Sequence, residues 1–105
     1  MIRHIVLLRF KPETPPGEVA ACMTAFAALP SKIAGITAFE SGADISPEGL
    51  AKGFSHVAVV TFADAAARDA YLPHPAHEAF VAQLKPWLDD VLVFDYALTA
   101  GAVHG

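Results

Sequence analysis

The first apolar run, Ile2–Phe10, is short, rich in Ile, Val and Leu, and stopped by Lys11-Pro12, a pattern that predicts a β-strand. Pro15-Pro16-Gly17-Glu18 then opens a stretch in which Val19, Cys22, Met23, Phe26, Leu29 and Ile33 keep close to the spacing of one helical face. Pro30 should end or kink that helix. Loose alternation over residues 35–42 predicts a second strand, near a sheet edge. Residues 44–53 carry Ser46, Pro47, Gly49 and Gly53 and read as the longest polar connection. A third strand covers 55–62. Asp64 is a natural N-cap for the alanine-rich helix that follows, and Pro73 and Pro75 separate it from a last helix. On that helix His77, Phe80, Val81, Leu84 and Leu88 share one face, and residues 91–98 form the closing strand.

The order strand, helix, strand, strand, paired helices, strand is the ferredoxin-like βαββαβ arrangement, an α+β fold with its helices on one face of the sheet. One domain is expected over residues 1–98, with a tail over 99–105. An internal echo agrees: His4 to Phe10 and His56 to Phe62 have the same spacing, and each run feeds a helix. Strands one and three are expected as central, parallel neighbours. That pairing would set His4 beside His56, near the start of each strand.

The alternation within these strands bears on assembly. Ile2, His4, Val6, Leu8 and Phe10 point one way and Ile5 and Leu7 the other, while Val57 and Val59 oppose Ala58, Val60 and Phe62. Both faces are apolar at their centres, although helices can cover only one. Hydrophobic residues make up 54% of the 105 residues and charged ones 17%, an apolar balance that points the same way. Charges or prolines interrupt every apolar run well before the roughly 20 residues a spanning helix needs, so a membrane protein is not expected. The expectation is a homodimer closing two open sheet faces on each other.

A formal charge of −4 with scattered Lys and Arg offers no footprint for nucleic acid. The N-terminal Ile5–Leu8 run is too short for a secretory signal, so the reading is cytoplasmic. Cys22 stands alone, on the apolar stripe of the first helix, and reads as a small core residue. His74 and His77 are three apart, but with Pro75 between them and no nearby cysteine or paired carboxylate they make no metal site. No cofactor is expected either. Asp95, inside an apolar strand, reads as a structural hydrogen-bond partner or an interface contact.

The chemistry that remains is a group of histidines and one tyrosine. Each histidine alone reads as a partly buried, hydrogen-bonded core residue. If His4, His56 and His77 converge at one end of the core, with Tyr71 entering the same space, a pocket holding water or ligand accounts for them better.

The segment Asp69-Ala70-Tyr71-Leu72-Pro73-His74-Pro75-Ala76-His77 resembles the signature of the stress-responsive A/B barrel (Dabb) family, and the likeness extends to Arg3–Phe10, His56–Val60 and Leu92–Tyr96. The resemblance implies a dimeric α/β barrel of two ferredoxin-like subunits. A plant polyketide cyclase of that family uses a His and a Tyr at the places matched by His77 and Tyr71, and has pocket histidines at those matched by His4 and His56. By that likeness His77 would be a general base acting alpha to a carbonyl, and Tyr71 would hold the carbonyl or enolate oxygen. His74 is counted with the pocket. The competing reading is a non-catalytic module that binds a small apolar or polyketide-like ligand, or plays a structural part in stress.

Overall fold

The computed structural model describes residues 1–98, and the tail expected over 99–105 lies outside the described residues. Strand β1 (Ile2–Phe10) leads into helix α1 (Pro16–Ala27), followed by strands β2 (Ile36–Ala43) and β3 (His56–Phe62). Helices α2 (Ala65–Tyr71) and α3 (Pro75–Leu84) then precede strand β4 (Leu88–Ala97).

Proline and capping chemistry set the helix limits. Pro16 and Pro75 occupy first-turn positions, where a missing N–H costs nothing. Asp64 caps α2 by accepting from the Ala67 N–H at 2.8 Å. Pro30 and Pro86 each convert the end of a helix into a short 3-10 turn, at Leu29–Ser31 and Lys85–Trp87. Because of Pro86, α3 stops at Leu84, and Leu88 is the first residue of β4 rather than a member of the helical stripe.

The sheet order is β2-β3-β1-β4, and every pairing is antiparallel. The expected parallel contact between strands one and three is therefore wrong. Within each strand-helix-strand half the two strands run the same way but leave a gap, and a strand of the other half, running oppositely, fills it. The consequence is large for the histidines. His4 stands opposite Val60 and His56 opposite Leu8, which separates the two by four residues, or about 13 Å along the sheet.

The helices pack on one face. Val6, Leu8, Ala58, Val60 and Phe62 from the sheet meet Cys22, Phe26, Leu29, Phe80 and Leu84 from the helices. At the centre the Phe26 and Phe80 rings lie 4.5 Å apart. On the opposite face the register aligns Ile5 with Val59 and Phe94, and Leu7 with Val57 and Leu92. Phe94 is 63% exposed and Leu92 50%, so an apolar sheet surface faces outward. No described helix is long and apolar enough to cross a membrane.

Candidate active site

Three of the chemically capable side chains reach one cavity between the sheet and helices α2 and α3. It has a volume of about 240 Å³, and His4, Tyr71 and His77 line it. Phe26, Phe80 and Leu84 supply apolar wall. Its mouth lies at β4, where Val91 and Val93 take the helix-facing side of the register yet remain exposed.

His4 projects from the middle of the sheet and is buried. Its register partner on β4 is Asp95, and the imidazole Nδ1–H donates to Asp95 Oδ1 at 2.7 Å. A carboxylate only accepts, so this contact fixes a proton on Nδ1, and in the neutral ring the lone pair is then on Nε2. Asp95 Oδ2 accepts a second charged hydrogen bond, from Arg68 Nη1 on α2 at 2.9 Å. The Arg68 Nε donates in turn to Asp69 at 2.9 Å.

Tyr71 ends α2 and is fully buried. Its ring lies 4.9 Å from Phe62, 5.9 Å from His4 and 4.3 Å from His77, centroid to centroid. Its hydroxyl is buried with no hydrogen-bond partner among the described residues. Burial pushes the phenol well above its ordinary pKa, so Tyr71 keeps its proton and has a hydrogen bond to give.

His77 sits in the first turn of α3, half-buried. Its Nδ1–H donates to the Leu72 carbonyl at 2.9 Å, which again leaves Nε2 as the basic atom of the neutral ring. Two imidazoles with the same tautomer and one phenol thus share an apolar cavity. Such a set can move a proton and hold an oxygen that gains charge.

The other two histidines lie apart from this cavity. His56 is at the far end of the sheet, where Ser55 Oγ lies 2.8 Å from its Nδ1 and Phe10 packs edge-on at 5.6 Å. Desolvation lowers its pKa. His74 caps α3, its Nδ1 accepting from the Ala76 N–H at 3.0 Å. Asp95 and Arg68 are the site residues that sequence reasoning underrated. A carboxylate interrupting an apolar strand was the available signal, but only the β1–β4 register joins it to His4.

Among the described residues, four antiparallel strands with three helices on one face define a ferredoxin-like α+β protein, with a His/Tyr cavity between its layers. The chain belongs to the Stress responsive A/B Barrel Domain family, whose sequence profile matches residues 2–98. It is 34% identical over 99 residues to the stress-response A/B barrel domain-containing protein HS1 of Arabidopsis thaliana, covering 94% of this chain and 91% of the relative. Olivetolic acid cyclase of Cannabis sativa is 25% identical over 95 residues, 90% of this chain and 94% of the cyclase. Among solved structures, a dimeric ferredoxin-like protein of unknown function from Thermobifida fusca matches with a TM-score of 0.78 and 34% identity, over 92% of this chain and 90% of that one.

Proposed function

We propose that the chain forms a homodimer through its open sheet face and that each protomer carries a small cyclase or isomerase site that needs no cofactor. The reaction is proton abstraction alpha to a carbonyl. His77 Nε2 takes the proton, and the Tyr71 hydroxyl donates to the carbonyl oxygen as it becomes an enolate. A polyketide-like or other small apolar ketone suits the walls. Solved relatives that are dimeric support the assembly, and the likeness to a cyclase supports the reaction class.

The observation that carries this reading is the Tyr71 hydroxyl, buried without a partner in a cavity that also holds His77 and His4. Leaving such a group unpaired costs about 1–3 kcal/mol, and a bound carbonyl oxygen would relieve that cost. Its raised pKa suits a donor to developing negative charge rather than a phenolate. The largely aliphatic mouth also fits a second reading, a carrier that binds an apolar ligand without turning it over.

The test is product formation from a panel of poly-β-keto thioesters by wild type, His77→Ala and Tyr71→Phe. A working general base predicts a loss of about 10²- to 10⁴-fold in His77→Ala. Equal rates in all three proteins would rule out catalysis, and retained ligand binding alone would select the carrier. Tyr71→Phe removes an unpaired hydroxyl and should fold with undiminished stability, so lost turnover in it reports chemistry rather than unfolding.

A further inference from the structure

We infer that Arg68 is a positioning residue for His4: by sharing Asp95 with the imidazole, it fixes the carboxylate and, through it, the tautomer and direction of the ring, so that Nε2 is held towards the cavity beside His77. The inference deepens the acid–base reading of the site and rests on it. The geometry is a chain of three groups from three elements, His4 on β1, Asp95 on β4 and Arg68 on α2. One carboxylate oxygen takes the His4 Nδ1–H at 2.7 Å and the other takes Arg68 Nη1 at 2.9 Å.

A carboxylate anchored by one contact alone can turn about its own side-chain torsions, and the ring it holds turns with it. Only a neutral ring with its proton on Nδ1 offers a lone pair at Nε2. Arg68 removes that freedom. Its guanidinium donates to Oδ2 and leaves Oδ1 aimed at the His4 Nδ1–H. Asp95 then fixes both the tautomer and the direction of Nε2. The groups that face His4 are Asp95 from β4, Arg68 and Tyr71 from α2, and His77 from α3 across the cavity, while β3 presents Val60 and Phe62 and adds no charge. Asp69 pairs with the outer edge of Arg68 and is largely exposed. The guanidinium is therefore the one cation poised to offset Asp95 among the described neighbours of His4.

The test is the ring-nitrogen NMR spectrum of His4, which reads which nitrogen carries the proton, in wild type, Arg68→Leu, Arg68→Lys and Asp95→Ala. Wild type should carry it on Nδ1. Arg68→Leu should lose much of that preference, Arg68→Lys, which can still donate to Asp95, should keep most of it, and Asp95→Ala should lose it with or without Arg68. An unchanged spectrum in Arg68→Leu overturns the inference, even if the protein proves to be an enzyme. The spectrum needs no substrate, so failure of the catalytic reading leaves it intact. Where turnover is measurable, kcat should fall in Arg68→Leu and recover in Arg68→Lys with KM little changed; full kcat beside a displaced ring proton would remove His4 from the reaction.

Discussion

Phe94 is the sharpest probe of the outward sheet face. It lies on β4 beside Ile5 and is 63% exposed, the most exposed large side chain of that strand. A Phe side chain has about 150–250 Å² to bury, so truncation to Ala should remove roughly 100 Å² of exposed apolar surface. At about 25 cal/mol per Å² this is about 2.5 kcal/mol for each copy. A two-fold dimer contains the residue twice, giving about 5 kcal/mol. With about 1.4 kcal/mol per factor of ten, the dimer dissociation constant should rise by roughly three to four powers of ten in Phe94→Ala. Sedimentation equilibrium reads this directly. The isolated protomer should lose little, since Phe94 is already in water there, and its far-ultraviolet circular dichroism should be unchanged. Wild type sedimenting as a monomer at micromolar concentration would refute the reasoning, as would a variant that dimerises as tightly as wild type.

Two further outcomes follow from buried groups. Cys22 is fully buried and burial raises its thiol pKa, so an aromatic disulfide reagent should leave the native protein unlabelled and label it fully in guanidinium; rapid native labelling would contradict the core assignment. Burial lowers the His56 pKa below its unfolded value of about 6.5, so the unfolded chain binds that proton more tightly. The stability linked to His56 is complete above that value and is lost as pH falls through the folded pKa. His56→Gln should accordingly show a smaller drop in urea midpoint between neutral and mildly acidic pH than wild type does, and an equal drop would sink the claim.

Local rules made most of the elements legible. Pro12, Pro30 and Pro75, the Asp64 cap and the period-two runs act within a few residues, and they put strands and helices close to where they form. The end of α3 was harder, because Leu88 continues the helical spacing and only Pro86 argues against it. Strand direction escaped local reasoning altogether. The likeness of the His4 and His56 runs shows that the two strands are equivalent in the two halves, but equivalence by a two-fold relation makes them antiparallel and sends their first residues to opposite ends.

The candidate site divides along the same line. Tyr71 and His77 are six residues apart on consecutive helices, and the short turn between them is enough to bring their rings to 4.3 Å. His4, Asp95 and Arg68 are far apart in the chain, and nothing local to any of them names the others. By itself the sequence determined the element types, the apolar character of both sheet faces and the His/Tyr inventory, because propensity, periodicity and capping act over a few residues. Tertiary structure alone decided which histidines meet, since the partner of a strand residue is set by register between strands that the rest of the chain must fold to align.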